Sequence, residues 1–250
     1  MLKRNIIRDW FVYIITSIRS LLLKGHVKLF VKDMSYFSQW RMYRFSSKGT
    51  LDYRIPWLVF SCIGFLEQWL NNNMQLFEYG SGGSSLFFAE KTAHIISAEH
   101  NRQWYSNTKK AIEQSGLMNI DYELFEPEPD TDTGHKDCKN PEHYISCFAE
   151  YKQLQFKKYV TAIDAYPDAS FDLVIVDGRV RHSCIAHALQ KVKMNGALLL
   201  DNADRAYYLH PFPELLDKRK WEQLKFIGHF PYGPASILNT TIVFIKKENV

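Results

Sequence analysis

A short glycine-rich segment carries the clearest chemical signal in the sequence. It runs Phe77-Glu-Tyr-Gly-Ser-Gly-Gly-Ser-Ser-Leu86, between a predicted strand and a predicted helix. Glycines in such a turn let the backbone bend sharply and approach a ligand closely, while the following helix presents free N–H groups. Gly80, Ser81, Gly82 and Ser84 are therefore candidate ligand contacts. By itself the turn predicts only a nucleotide-like cofactor, and a turn chosen for packing is the alternative.

Two carboxylates near this turn narrow the choice of ligand. Glu99 ends the next predicted strand, nineteen residues after Gly80, where a carboxylate can accept hydrogen bonds from both hydroxyls of a ribose. Glu78 precedes the first glycine by two residues; it would repel a pyrophosphate and attract an ammonium group, directly or through water. Ser85 takes the place of the third glycine of the dinucleotide pattern. The pattern therefore indicates an adenosine-type cofactor and favours S-adenosylmethionine over a dinucleotide.

Alternating strands and helices should hold these residues at one edge of a sheet. From Gln75 onward, short apolar runs alternate with helical patterns, which is typical of βαβ units around a parallel sheet. The predicted strands are Gln75–Tyr79, His94–Ala98, Asp121–Phe125, Leu173–Val176 and Ala197–Leu200. The predicted helices are Ser84–Lys91, Asn101–Ser115, Glu150–Ala165 and Ser183–Lys191, with a loop at 126–141. A proline-rich connection too short for a crossover helix should join two last strands as an antiparallel pair, Gln223–His229 and Thr240–Lys246.

Over about residues 56–247 the chain resembles a class I S-adenosylmethionine-dependent methyltransferase. The resemblance rests on the glycine-rich segment and on Ser97-Ala-Glu-His-Asn101, Phe171-Asp-Leu-Val-Ile-Val-Asp-Gly-Arg179 and Gly196-Ala-Leu-Leu-Leu-Asp-Asn202. It implies an α/β, Rossmann-like fold with a mostly parallel seven-stranded sheet, helices on both faces and an antiparallel C-terminal strand pair. It also implies roles in cofactor binding: the methionine end at Glu78, Gly80 and Gly82, the ribose at Glu99, the adenine near His100, and the sulfonium above Asp177.

Polar side chains follow the fourth and fifth predicted strands. Asp177 and the pair Asp201-Asn202 are similar to the positions at which catechol-type O-methyltransferases hold a divalent cation. Oxygen ligands of this kind suit Mg²⁺ or Ca²⁺, which would orient two acceptor hydroxyls and lower their pKa. The chain departs from that family at Val180, where the family has a lysine. The alternative is that Asp201 and Asn202 satisfy backbone groups at the strand end and line the acceptor pocket.

Several residues in the same region are candidates for catalysis or acceptor binding. Asp177 is a candidate catalytic residue, and His182 and Asp204 are candidate general bases, although a structural role is the simpler interpretation for a lone histidine. Three arginines could bind a carboxylate or phosphate of the acceptor, or could pair with neighbouring aspartates: Arg179, Arg181 and Arg205.

The four cysteines have no framework spacing, so we expect no disulfide scaffold, and a reducing, cytoplasmic location fits best. His135, Cys138, His143 and Cys147 could in principle bind zinc, but their spacing departs from that of zinc knuckles, and the segment is better interpreted as a helix start.

The first fifty residues are strongly basic. They hold ten Lys and Arg against Asp9 and Asp33, a net +8, whereas the remaining 200 residues carry −4. This asymmetry favours an anionic surface met by the N-terminus over a nucleic-acid-binding body. An amphipathic helix is predicted from Ile7 to Leu21; it either packs on the body or lies in a membrane interface through residues 1–24. Charged residues interrupt its apolar run, so no membrane-spanning helix is expected.

The predicted organisation is an N-terminal helical extension, 1–52, followed by a methyltransferase domain, 53–250. Within it, 35–52 is expected to be a polar connection and Trp57–Leu70 a helix. The expected activity is O-methylation of a small-molecule or saccharide-type acceptor, with no nucleic-acid partner. An NAD-dependent oxidoreductase using the same turn and a non-catalytic binding module with the same fold are the alternatives. The residues leave the acceptor and the oligomeric state open.

Overall fold

A seven-stranded mixed sheet lies at the centre of the computed structural model, which describes residues 6–132 and 134–248. The strands are β1 (Gln75–Tyr79), β2 (His94–Glu99), β3 (Ile120–Leu124), β4 (Phe171–Val176), β5 (Val192–Leu200), β6 (Trp221–Gly228) and β7 (Asn239–Lys246). Their order is β3-β2-β1-β4-β5-β7-β6, and β7 runs antiparallel to both of its neighbours while the first five strands are parallel. The predicted fold class and the antiparallel C-terminal pair are confirmed.

Helices flank the sheet and form an additional N-terminal layer. The α-helices are α1 (Ile6–Ser20), α2 (Val27–Ser35), α3 (Phe37–Arg44), α4 (Thr50–Tyr53), α5 (Phe60–Trp69), α6 (Gly83–Ala89), α7 (Arg102–Ser115), α8 (Lys157–Thr161) and α9 (Arg181–Ala188). Short 3₁₀ helices occur at Leu22–Lys24, Pro141–His143, Ala149–Tyr151, Ala162–Ala165, Ala206–Tyr208 and Pro213–Leu216. None of the helices in the described part of the chain combines the length and apolar character of a membrane span.

Two predicted segments differ from the structure. The helix expected over Glu150–Ala165 is broken, because Gln153 adopts a left-handed conformation (φ 65°) and Leu154–Gln155 pairs with Glu128–Pro129 in a two-residue antiparallel ladder. The connection expected over 35–52 is largely helical, since its aromatic residues are recruited into the core. Tertiary contacts override local preference in both places.

The N-terminal helices pack on one face of the sheet. Tyr13 and Trp40 are almost fully buried in the same apolar cluster as Leu76 and Phe88, and Trp40 Nε1 donates a hydrogen bond to Gly233 O at 2.8 Å. The predicted N-terminal helix was expected either to pack on the body or to lie in a membrane interface, and one face of these helices packs on the body. Residues 1–5 of the predicted extension lie outside the described residues.

Candidate active site

A cleft of about 670 Å³ opens at the carboxyl ends of β1, β2, β4 and β5. This is the edge at which open α/β sheets bind ligands. One end is lined by the glycine-rich turn, Glu99 and His100, and the other by Asp177, Asn202 and Asn239. We refer to these as the cofactor end and the acceptor end.

The glycine-rich turn touches the loop after β4 backbone to backbone. Gly80 has φ +91°, and a Cβ there would lie 2.6 Å from the Cα of Gly178. A Cβ on Gly178 would in turn lie 1.9 Å from the Tyr159 hydroxyl oxygen. Only glycine fits at Gly80 without moving backbone, so the turn is held in one conformation at the floor of the cleft.

Glu78 lies beneath the turn and is fully buried. Its carboxylate accepts hydrogen bonds from the hydroxyls of Ser84 (2.5 Å), Ser85 (2.5 Å) and Ser97 (2.6 Å). Burial raises the pKa of Glu78 to about 7, although the three hydroxyls act to lower it. Glu78 is absent from the cleft lining, which includes Ser84. In this arrangement Glu78 anchors the serines that follow the turn, and its predicted contact with the cofactor would have to pass through them or through water.

Glu99 sits at the cleft wall with both carboxylate oxygens engaged. Oε2 accepts from the backbone N–H (3.0 Å) and the hydroxyl (2.8 Å) of Ser81, and Oε1 accepts from the backbone N–H groups of His100 (2.9 Å) and Asn101 (2.8 Å). Burial acts to raise the pKa of Glu99, but the His100 imidazole, whose Nδ1 lies 3.0 Å from Oε1, and the bonds from Asn101 and Ser81 outweigh it and hold this pKa below its usual range. Glu99 is therefore an ionised acceptor, and among the described residues its hydroxyl partner is Ser81.

Aromatic residues that the sequence analysis did not identify complete the cofactor end. The Trp104 indole N–H donates to Ser81 O at 2.6 Å, and its ring lies against Gly82, where a Cβ would be 3.3 Å away. His100, predicted near the adenine, lines the cleft with its Nε2 3.2 Å from the Tyr151 hydroxyl. The sequence feature that could have identified Trp104 is its position five residues after Glu99.

A buried arginine joins the ends of β4 and β5. Arg181 is 5% exposed and donates from Nη2 to Asp177 Oδ1 (2.8 Å), from Nε to Gly178 O (3.0 Å) and from Nη1 to Asp201 O. Burial raises the pKa of Asp177, the nearby Asp201 adds to this, and Arg181 acts in the opposite direction. Of the two possibilities for Arg181, ion pairing with neighbouring aspartates is the observed one.

The predicted Mg²⁺ or Ca²⁺ site does not fit this geometry. The Asp201 carboxylate also accepts from Asn239 Nδ2 (3.0 Å) and Thr241 Oγ1 (2.7 Å), and Asn202 Nδ2 donates to Asn239 Oδ1 (2.9 Å). The guanidinium of Arg181 stands between the two carboxylates and supplies the positive charge that a cation would bring. Over 6–132 and 134–248, no group of three or more His, Cys, Asp or Glu is placed to hold a metal ion.

Two predicted general bases lie outside the cleft. His182 is 2% exposed, packs with its ring centroid 6.3 Å from that of Tyr208, and burial lowers its pKa to about 4. Asp204 is exposed to solvent. Neither residue belongs to the cleft lining, whereas Asp177 does.

The loop after β3 brings an aromatic ring to the remaining arginines. The Arg179 guanidinium lies 4.7 Å from the centroid of the Phe148 ring and that of Arg205 lies 5.8 Å from it. Arg179 also lies 3.5 Å from Glu150 and lines the cleft. Both guanidinium groups thus lie within cation–π distance of the Phe148 ring, and of the two arginines Arg179 lines the cleft.

A disulfide between Cys138 and Cys147 closes the loop immediately before Phe148. Its sulfurs are bonded to each other, so the considered zinc site has no free thiolates. A single local bridge was not predicted, because pairing cannot be deduced from spacing.

The outer lip of the cleft comes from distant parts of the chain. Thr50, Ile55 and Trp57 precede the sheet, and Phe230 follows β6. Trp57 is 53% exposed, with its ring centroid 6.5 Å from that of Phe230. The helical layer packs tightly here, since a Cβ on Gly83 would lie 2.2 Å from Thr50 O. The predicted organisation places Thr50 in the N-terminal extension, 1–52, and the other three residues in the methyltransferase domain, 53–250.

Solved structures with very different sequences share this fold. A putative O-methyltransferase from Klebsiella pneumoniae matches with a TM-score of 0.55 over 87% of this chain and 100% of its own, at 9% identity. An rRNA methylase from Streptococcus thermophilus matches with a TM-score of 0.49 (13% identity, 75% of this chain, 95% of its own). A putative methyltransferase from Streptococcus mutans in complex with SAH matches with 0.48 (11% identity, 80% and 99%). The sequence matches no protein-family model and no curated protein. The likeness to the Klebsiella structure identifies the fold as that of Rossmann-like methyltransferases.

Proposed function

We propose that this protein transfers the methyl group of S-adenosylmethionine to an oxygen of a small-molecule or saccharide-type acceptor. The observation that carries the proposal is the pairing of Ser81 with an ionised Glu99 at the cleft wall, next to a glycine turn that cannot carry a side chain at Gly80. A fixed carboxylate whose partner is a serine hydroxyl suits the two hydroxyls of a ribose, which can take the place of that partner.

The residues of the cofactor end fit the rest of that molecule. His100, Trp104 and Tyr151 offer aromatic surface for an adenine, and backbone groups of the turn are close enough to meet the amino-acid part. Glu78 would act from beneath, because it fixes Ser84, which lines the cleft. When bound, S-adenosylmethionine supplies an electrophilic methyl group.

Asp177 is the residue we assign to the acceptor proton. It lines the acceptor end of the cleft, and Arg181 donates to its Oδ1. The other oxygen, Oδ2, would accept the proton of the attacking hydroxyl. Burial and the neighbouring Asp201 raise the pKa of Asp177, while Arg181 acts to lower it; the ionised form, which Arg181 stabilises, is the one that would accept the proton. The protein otherwise contributes positioning and exclusion of water.

The acceptor end supports a polyhydroxylated or ring-shaped acceptor. The polar side chains of Asn202 and Asn239 line this end, and the exposed Trp57 lies beside the half-buried Phe230 at the lip of the cleft. Arg179 would meet a carboxylate or phosphate carried by such an acceptor.

Calorimetry and a transfer assay test the proposal. S-adenosylmethionine and S-adenosylhomocysteine should bind while NAD(H) should not, and labelled methyl groups should pass to a component of metabolite or glycan-precursor pools. Exhaustive chelation should leave turnover unchanged, because Arg181 occupies the place of a cation. Binding of NAD(H) instead would support the oxidoreductase alternative, and cofactor binding without transfer to any acceptor would support the non-catalytic one.

A further inference from the structure

Large apolar side chains remain exposed on the outer side of the two N-terminal helices. On α1, Phe11 is 53% exposed and Ile15, one helical turn later, is 43% exposed. On α2, Val27 (53%) and Val31 (62%) repeat this spacing. Leu23, in the connection between the helices, is 75% exposed. Large exposed apolar residues on two helices that pack against each other indicate an interaction surface.

The opposite faces of the same helices are fixed to the body. The Tyr13 hydroxyl donates to Asp33 O (2.7 Å), and Ser17 Oγ donates to Asp33 Oδ2 (2.6 Å). The backbone N–H of His229, at the end of β6, donates to Asp33 Oδ1 (2.7 Å). Phe11 and Ile15 each lie two residues from this anchored row, about 200° around the helix. The row with Tyr13, Ser17 and Asp33 therefore fixes the helices, and the row with the exposed apolar residues faces outward.

Exposed cations accompany the apolar row. Three of its members are each followed directly by a lysine, in the pairs Leu23-Lys24, Val27-Lys28 and Val31-Lys32. Arg19 lies one turn after Ile15 on α1. Among the described residues, none of these four cations forms an ion pair within 4 Å. Of the acidic residues in the two helices, Asp33 is buried and the Asp9 side chain is only 14% exposed.

We propose that this outer face, formed by Phe11, Ile15, Leu23, Val27 and Val31 with their neighbouring cations, docks on an anionic lipid membrane. Apolar side chains would enter the headgroup boundary while the lysines and Arg19 contact lipid phosphates, as in other interfacial helices. A symmetric dimer through the same face would instead bring the cations of one copy opposite those of the other. The inference goes beyond the proposed function and does not depend on it.

Vesicle co-sedimentation with the full chain tests the surface. The protein should bind vesicles of phosphatidylcholine with about 30% phosphatidylserine, bind phosphatidylcholine alone weakly, and dissociate as salt shortens the screening length. The variant Lys24→Glu/Lys28→Glu/Lys32→Glu should lose on the order of 100-fold in vesicle affinity, since each lysine near an anionic surface contributes roughly fivefold. The variant Phe11→Gln/Ile15→Gln should weaken binding to both vesicle types.

Matched variants control for charge and hydrophobicity. Lys110→Glu/Lys218→Glu/Lys225→Glu makes the same charge change at exposed sites elsewhere, and Met118→Gln/Leu216→Gln removes two other exposed apolar side chains. Both control variants should bind as the unaltered protein does. Equal losses in control and test variants, or no binding to anionic vesicles at all, would overturn the proposal. A dimer that becomes monomeric in Phe11→Gln/Ile15→Gln, without vesicle binding, would show instead that the face joins two copies.

Discussion

The two ends of the cleft hold their carboxylates in different ways. At the cofactor end, Glu78 and Glu99 accept mainly from serine hydroxyls and backbone N–H groups. At the acceptor end, Asp177 and Asp201 share the guanidinium of Arg181. Serine hydroxyls and backbone N–H groups can be exchanged for the groups of a ligand, whereas a buried arginine that pairs with two carboxylates is costly to remove.

The cofactor end can therefore exchange hydrogen-bond partners with a ligand, whereas the buried ion pairs of the acceptor end support the folded structure. We expect substitutions at the acceptor end to act first on stability and substitutions at Glu99 to act first on binding. The four predictions below test that division.

Removal of Arg181 should have the largest effect. Arg181→Met leaves two buried carboxylates without their shared cation, which should lower the free energy of unfolding by about 3–5 kcal/mol. Urea denaturation measures the loss. Arg219→Met, at a surface ion pair with Asp217, should leave the denaturation midpoint unchanged. If Arg181→Met were as stable as the unaltered protein, the supporting role of the acceptor end would be refuted.

Glu78 should make stability fall as pH rises. Its pKa in the folded state is about 7 against an ordinary value of 4.5, so between these values the folded protein binds more protons than the unfolded chain. The contribution of Glu78 to the free energy of unfolding should be fully present below pH 4.5. It should fall by about 3 kcal/mol as the pH rises through 7.

The variant Glu78→Gln should flatten that decline, as measured by denaturation midpoints across pH 4.5–8. Asp177, whose pKa is also raised, would contribute to the remaining decline, while His182, whose pKa is lowered to about 4 from 6.5, would make stability rise with pH between those values in both proteins. An unaltered slope in Glu78→Gln would mean that Glu78 is ionised in the folded protein throughout this range.

Substitution of Gly80 by alanine should lower stability more than the same substitution at Gly116. Both have positive φ, but a Cβ on Gly80 would collide with Gly178 whereas one on Gly116 meets nothing within 4 Å. Gly116→Ala should cost about 1 kcal/mol from backbone strain alone. Gly80→Ala should cost about 2 kcal/mol more and should abolish cofactor binding in calorimetry. Equal costs would show that the turn can move away from Gly178.

The same division explains what could be predicted from the sequence. Local pattern was sufficient to group the turn with Glu99 and His100, because all three lie within about twenty residues of one another on consecutive elements. Arg181 could be placed near the strand ends, but nothing in its spacing distinguished a ligand contact from an ion pair.

The outer lip of the cleft could not be assembled from the sequence. Thr50 and Phe230 are 180 residues apart in sequence and line the same cleft because the N-terminal helices pack across the sheet. The segment that forms α3 was predicted to be a connection for a similar reason. The burial of its aromatic residues depends on β6 and the loop that follows it, which are distant in sequence.

Glu99 should show the smallest change in stability with a clear change in binding. Glu99→Gln keeps the shape of the side chain but removes the charge that a ribose hydroxyl would meet, and a hydrogen bond to a charged group contributes about 1.5–3 kcal/mol. We therefore expect the S-adenosylhomocysteine dissociation constant to rise roughly 10- to 100-fold in calorimetry. Glu123→Gln, an exposed carboxylate on the adjacent strand β3, should bind the ligand normally. If Glu99→Gln instead unfolded the protein while retaining affinity in its folded fraction, Glu99 would belong with Arg181 as support, and the distinction between the two ends would not hold.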